Sequence, residues 1–402
     1  MLDTVYTSTS GLQSFAKGLD VISNNVTNVN TVGYKASSLL YRDIHYSFSM
    51  RDERQGTVYA AQVGGGVAAD VTSLLFNQGD LRSTGNGTDV AIGGRGFFVV
   101  EKGGQMVYSR DGQFEFNNDG YLVTRDGGYR VMGLINGALQ PINQNAYRVQ
   151  PPVTTTEINF SGTLPPSSTA NVTTNNVPVY DSLGKLHTFT VTFTPDATDP
   201  TTRSWKITVA DETGLTVATD GKLRFQVNGS PDVGANSFAF TYTPTGGAAQ
   251  QITLKFGEPN TFSGVTGFSG TAAVSVGTQN GRASGAMLST SFDEKGQLIV
   301  KYSNQQTQTG PQLALADFDN VQALQQLGGG LFLPQKGQRP LLGVAGARGF
   351  GSITAGSVES SNVELSTQFS DMIVIQRGYQ ASSQVLTVAN EMMQQLLEMN
   401  RK

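Results

Sequence analysis

Three patterns predict a mainly β chain with an α-helix at each end. Apolar residues step by three and four at both termini, they alternate with polar residues through the middle, and Asp-Gly pairs punctuate the alternating runs. The full expectation is nested β-domains, an inner β-domain carrying an inserted β-sandwich or barrel. They stand on an α-helical, coiled-coil-like base formed by both termini.

The N-terminal helix comes first. Leu12, Phe15, Leu19, Ile22, Val26 and Val29 follow the spacing of a seam that faces another helix, and no proline interrupts them. Gly11 and Gly18 each weaken an isolated helix by about 1 kcal/mol relative to alanine, so this helix needs a partner. Near the other end, Leu365, Met372, Tyr379, Leu386 and Met393 recur every seven residues. Either stripe alone serves any pair of core-facing helices. Heptads at both ends of a strand-rich chain point to pairing of the termini. Asn24, Asn25 and Asn28 lie near the first seam, where amides either fix register or cap the helix toward solvent.

Between the helices the period falls to two. Val90, Ile92, Phe97 to Val100, Phe114, Phe116 and Tyr121 to Val123 are separated by Asp119-Gly120 and Asp126-Gly127, which are hairpin signals. A looser stretch with Pro151-Pro152 and Pro165-Pro166 reads as a connection into another domain. Five alternating segments follow, from Phe189/Val191/Phe193 to Ile252/Leu254/Phe256, and argue for a small all-β unit. Leu298 to Val300 and Leu313/Leu315 look like strands returning to the first β-domain. The expected organisation is a helical core at 1–35 and 364–402 and an extended linker or loop at 36–70. An inner discontinuous β-domain then takes 71–145 and 283–363, and an inserted outer β-domain takes 146–282. Such nesting brings both termini to one end of a rod-like subunit.

Composition excludes several function classes. The net charge is −4 and only 14% of residues are charged, which makes no nucleic-acid footprint. No apolar run approaches the roughly 20 residues that span a bilayer, so membrane insertion is not expected. There is no cysteine, hence no disulfide, thiolate nucleophile or Cys-ligated metal. Two histidines, His45 and His187, do not make a multi-His metal site, and no cofactor motif is present. Asp181, His187 and one of many serines make a triad on paper, but no nucleophile-elbow pattern accompanies them. His187 reads as a surface or edge residue at a strand start. Gly64 to Gly66 and Gly328 to Gly330 lack the lysine and strand-to-helix context of phosphate loops and read as turns. Arg51-Asp52-Glu53-Arg54 is a solvated charged loop or an intersubunit clamp. No catalytic residue is assigned. Met1 to Tyr6 lacks a basic segment followed by an apolar one, so export without a cleaved signal peptide is expected.

Four motifs in order carry a resemblance. Ser10-Gly11-Leu12 and Leu19 to Asn28, with Asn24 and Asn25, lead to Thr31-Val32-Gly33-Tyr34-Lys35. Gln78-Gly79 precedes Thr84-Gly85-Asn86-Gly87-Thr88-Asp89 and Gly96-Phe97-Phe98, and Tyr108 to Phe114 follows. Gly356 to Leu365, containing Asn362, precedes Met372 to Gln380, containing Gln376, Arg377, Tyr379 and Gln380. The set resembles bacterial flagellar rod and hook proteins. Val179 to Gly184 is similar to the segment that opens the outer domain of hook subunits, and the inserted strands favour hook over distal rod. Two departures stand beside this: residues 36–63 resemble an extra stretch of the distal rod, and Gly378 replaces a common alanine.

The resemblance implies a structural subunit that polymerises with itself into a curved hollow tube, a universal joint transmitting torque from rod to filament. It implies an extracellular flagellar location reached through the flagellar type III export apparatus. The implied partners are the distal rod protein, a hook cap and hook-filament junction proteins. A distal rod protein is the alternative within the family. A secreted β-rich adhesin or glycan-binding module is the alternative outside it.

Overall fold

In the computed structural model, which describes residues 2–44, 46–51, 59–135, 137–199, 203–347 and 349–399, the chain is mainly β with a helix at each end. Helix α1 spans Leu2–Thr27 and helix α2 spans Leu365–Met399. Hydroxyls of Ser8 and Thr9 bond the carbonyls four residues earlier, at Thr4 and Val5, which satisfies polar side chains inside α1. Glu364 precedes α2 and accepts from Ser366 and Thr367 in its first turn. An acidic group there also suits the positive end of the helix dipole. Gly33, at φ +67°, turns the chain after α1, and a Cβ there would lie 2.6 Å from the Asp111 amide nitrogen. Only glycine meets both conditions.

The chain divides into two compact units. The first contains residues 1–145, 290–299 and 309–402, and the second contains 146–289 and 300–308.

In the first unit, the stretch expected as an extended linker or loop at 36–70 is a long antiparallel ribbon. Ser37–Asp43 pairs with Val67–Leu74, and Tyr46–Arg51 continues opposite Tyr59–Gly64. Short alternations with Leu39, Tyr41, Val67 and Ala69 had too few apolar residues to signal strands. Pairing is instead favoured by α1, against which the ribbon lies. Ser14 Oγ donates to the Val67 carbonyl, the Val67 amide donates to Ser10 Oγ, and the Phe15 and Tyr41 rings meet at 6.4 Å. Of the charged run at 51–54, Asp52 to Arg54 lie outside the described residues, as does His45.

The β-body of this unit is built on the hairpin of Phe97–Lys102 and Gln105–Ser109. Arg130–Ile135 flanks it on one side, and Leu331–Pro334, itself paired with Leu324–Gly328, on the other. Leu313 lies opposite Gly133 and Leu315 opposite Phe98, so late sequence closes the early sheet. Phe97, Val99, Tyr108, Met132, Phe318 and Phe332 form its core. Both Asp-Gly pairs sit at turns, with Gly120 and Gly127 at φ +81° and +88°. Ser352–Ala355 pairs with Val90–Gly93, and Ser357–Glu359 with Leu81–Ser83. The chain leading to α2 is thereby stitched into the body.

The second unit is a sandwich. Val172–Tyr180, Leu186–Pro195, Ser204–Ala210 and Thr216–Arg224 make one antiparallel sheet. Glu157–Thr163 anchors the other, parallel to Gln250–Lys255 and antiparallel to Ala273–Gln279. Their inner faces share one core, with Trp205, Phe189, Phe193, Phe256 and Leu254 buried. The proline-punctuated stretch read as a loose connection thus supplies two strands, in which buried Ile158, Phe160, Val177 and Val179 alternate with more exposed neighbours such as Asn159, Asn176 and Pro178. Asp181 closes the turn before Leu186–Pro195, accepting from the Leu183 and Lys185 amides, with Gly184 at φ +81°.

His187 is buried, contrary to the surface or edge position expected for it. Its Nε2 lies 3.1 Å from Asp181 Oδ2 and its Nδ1 3.5 Å from the Tyr242 hydroxyl. With Glu212 Oε1 also 3.5 Å from Nδ1, polar partners on three neighbouring segments make this interior position tolerable.

Candidate assembly interface

Helices α1 and α2 pack antiparallel. Gly11 faces Ser382, Phe15 faces Gly378, Gly18 faces Ile375 and Asn25 reaches Gln368, so rising numbers on one helix meet falling numbers on the other. A Cβ on Gly378 would lie 2.7 Å from the Phe15 ring, and one on Gly18 2.9 Å from Ile375. The glycines that weaken each helix alone are the points at which the two approach.

On α1, Ile22 is buried and Leu12, Phe15, Leu19 and Val26 are half-buried. Val29 lies past the helix end and packs with Tyr34, Ala36 and Val363. On α2, Met372, Leu386 and Met393 are half-buried, whereas Leu365 and Tyr379 are exposed. Three of the five residues of the seven-residue repeat, Met372, Leu386 and Met393, thus lie on the covered face, and Leu365 and Tyr379 do not. The row that faces α1 is Gln368, Met372, Ile375, Gly378, Ser382, Leu386, Ala389 and Met393, the positions with least exposure along the helix.

Two further rows on α2 are exposed. Val374, Ala381, Val385, Val388, Met392, Leu396 and Met399 make an apolar stripe, with Val374 69% and Met399 77% exposed. Gln376, Gln380, Ser383, Thr387, Asn390 and Gln394 make an uncharged polar stripe. Arg377 lies between them, also exposed.

The roots of the two helices meet in a buried polar junction. Asn25 Oδ1 accepts from the Ser37 amide (2.9 Å) and the Tyr34 hydroxyl (3.2 Å). Its Nδ2 donates to the Ser37 carbonyl (2.7 Å) and to Gln368 Oε1 on α2 (2.9 Å). Asn25 is thus a clamp within one chain, while Asn24 is exposed and bonds Asn28. Asn362 Oδ1 accepts from the Ala36 amide (2.7 Å), and its Nδ2 donates to the carbonyls of Leu75 and Asn77.

Beneath lies a charged triad. Lys35 Nζ is 2.6 Å from Glu359 Oε1, and Arg110 Nη1 is 3.3 Å from Glu359 Oε2. Burial pushes the Lys35 ammonium below its ordinary pKa, opposed by Glu359 and reinforced by Arg110. Arg110 and Glu359 lie within the motifs Tyr108 to Phe114 and Gly356 to Leu365, but nothing in their spacing pairs them with each other or with Lys35. Nearby, the loop of Gly85 and Asn86 closes on buried Asp89, which accepts from Thr84, Asn86 and Arg125. Gly96, at φ +125°, leads into Phe97 and Phe98, both fully buried.

These parts match known families. Residues 5–35 fit the Flagella basal body rod protein family, 91–225 the Flagellar hook protein FlgE/F/G D1 domain, and 354–399 the Flagellar basal body rod FlgEFG protein C-terminal family. Flagellar hook protein FlgE of Treponema pallidum is 30% identical, with all of both chains covered. The same protein of Escherichia coli is 31% identical over 97% of this chain and 98% of that one. The chain belongs to the flagellar hook protein FlgE family.

A crystal structure of Helicobacter pylori flagellar hook protein FlgE2 aligns with 69% of this chain and all of that one, at 13% identity and TM-score 0.47. Membership in the FlgE family makes the chain a structural hook subunit, and sets aside the distal rod and adhesin alternatives. The end regions matched to the two rod-protein families contain α1 from residue 5 onward, the α2 stripes and the roots of both helices. The polar junction therefore sits where the FlgE family regions converge.

Proposed function

We propose that the subunit polymerises with itself through its paired termini into a curved hollow tube, a universal joint that passes torque from rod to filament. The carrying observation is the apolar stripe of α2 from Val374 to Met399, exposed although it continues the face beside α1. A second copy of the chain covers it in the assembled wall, where burying such side chains is worth about 25 cal/mol per Å². The uncharged stripe from Gln376 to Gln394 then faces the channel, where it offers later subunits neither ion pairs nor apolar anchors. Export by the flagellar type III apparatus, addition beneath a hook cap, and end contacts with the distal rod and hook-filament junction proteins complete the reading.

Val385→Asp with Val388→Asp tests it. Both side chains are exposed, so the folded subunit keeps its thermal midpoint while tube formation, followed by electron microscopy or sedimentation, is lost. Tubes of normal length and yield from this variant would refute the seam.

A further inference from the structure

The triad of Lys35, Glu359 and Arg110 contains two cations and one carboxylate, with side chains at most 6% exposed. Its members are not held alike. Glu359 sits in a ladder opposite Leu81, and its Oε1 also accepts from the Gly79 amide at 2.9 Å. Arg110 follows the strand Gln105–Ser109, donates to the Gly94 carbonyl at 2.8 Å and stacks over the Phe97 ring at 5.1 Å. Both are therefore anchored by the β-body. Lys35 lies on the irregular segment between α1 and the ribbon, outside any ladder. Its ammonium has one other partner, the Asn77 carbonyl at 2.8 Å.

Charge balance separates them further. Withdrawing Lys35 leaves Arg110 and Glu359 as a neutral pair, whereas losing the Glu359 charge leaves two buried cations facing each other. An uncompensated buried charge is costly, while a buried pair against an apolar replacement is close to neutral. Lys35 can thus leave and return without breaking a strand or stranding a charge.

We propose, on the assembly reading above, that Lys35 is a releasable latch: Arg110 and Glu359 form a permanent pair of the β-body, and Lys35 docks onto it when α1 and α2 are packed in the tube. The structure shows the closed state. Docking positions the root of α1, because the same segment carries Tyr34 to Asn25, Ala36 to Asn362 and the Gly33 amide to the Glu359 carbonyl.

Full-length Lys35→Met and Glu359→Gln chains are compared as monomers and in tubes. In the monomer, Lys35→Met leaves the body's thermal midpoint unchanged and Glu359→Gln lowers it by roughly 10 °C. In assembly, Lys35→Met raises the critical concentration about tenfold, the equivalent of roughly 1.4 kcal/mol. Adding Lys35→Met to Glu359→Gln changes nothing in the monomer but partly restores tubes, because one of two facing cations has gone.

Hydrogen exchange on the unaltered chain needs no variant to fold. In the monomer the Ala36 and Ser37 amides exchange about a hundredfold faster than those of Ser357–Glu359, and in tubes the difference closes. Equal protection in the monomer, or a Lys35→Met midpoint that falls as far as that of Glu359→Gln, overturns the latch. The monomer measurements do not depend on the α2 seam. Tubes from the Val385→Asp/Val388→Asp variant would count against that seam and leave the latch result standing.

Discussion

Asn25 shows how much one side chain can join here. It saturates four bonds among α1, the chain at Tyr34 to Ser37 and α2, and it is almost fully buried. Asn25→Ala leaves the Ser37 amide and Tyr34 hydroxyl without this acceptor, and the expected loss is about 2 kcal/mol of assembly, read as a roughly thirtyfold rise in the critical concentration for tubes. Asp111 gives the subunit a pH response. Burial pushes its carboxyl up to about 6 from an ordinary 3.8, against the Gln113 amide and Arg125 and with help from Asp126 and Asp89. A carboxyl raised on folding contributes stability below its unfolded pKa, and that contribution is lost as pH rises through the folded one. The thermal midpoint should therefore fall between about pH 4 and pH 6 through this group. Asp111→Asn, which can still accept from Gln113, removes that fall and is the more stable form at pH 7. An identical midpoint-against-pH curve for both proteins would contradict the assignment.

Helix α2 is an incomplete element by itself. Among its described residues only Ala389 is fully buried, and isolated helices depend on tertiary burial for stability. The far-UV circular dichroism signal per residue should therefore rise in helical character when monomers become tubes. A signal that stays constant on polymerisation would show the helices already formed. Gly378 governs their closeness. Gly378→Ala improves helix propensity by about 1 kcal/mol but drives a methyl into the Phe15 ring, so pairing weakens unless that ring yields. Phe15→Leu combined with Gly378→Ala should recover the pairing, measured as critical concentration, and an additive loss would argue against this contact.

The inserted unit has its own core, and its entering and leaving strands pair with each other. Val153 and Arg282 exchange backbone bonds at 3.0 and 2.9 Å, and Val149 lies opposite Ala286. Replacing 154–281 with a short Gly-Ser turn between these strands should leave the thermal midpoint of the first unit unchanged. The excised sandwich should unfold cooperatively by itself, since Trp205, Phe189, Phe193 and Phe256 share its core. Loss of the first unit's transition in the shortened chain would show that the units are not separable in stability.

Hydrophobic period and turn chemistry were enough to read the mainly β class, the terminal helices, the Asp-Gly turns and the alternating strands from Phe189 to Phe256. These signals are local and repeat along one element. Four ordered motifs were enough to read the family, because they combine residue types whose joint occurrence is rare. The 37–74 ribbon, the strands Glu157–Thr163 and Val172–Tyr180, and buried His187 were not legible: the ribbon leans on α1, Glu157–Thr163 pairs with strands some hundred residues later, and Val172–Tyr180 and His187 take their burial from packing against the facing sheet. The rows on α2 were partly legible: Met372, Leu386 and Met393 of the seven-residue repeat face α1, whereas the place of Gln368, Ile375, Gly378, Ser382 and Ala389 beside them depends on where α1 lies. The meeting of Arg110 and Glu359 with Lys35 carried no signal, because the worth of a buried charge lies in the charge facing it. Which residues repeat was decided by the sequence alone; which charges and amides meet, 324 positions apart for Lys35 and Glu359, was decided only by the tertiary structure.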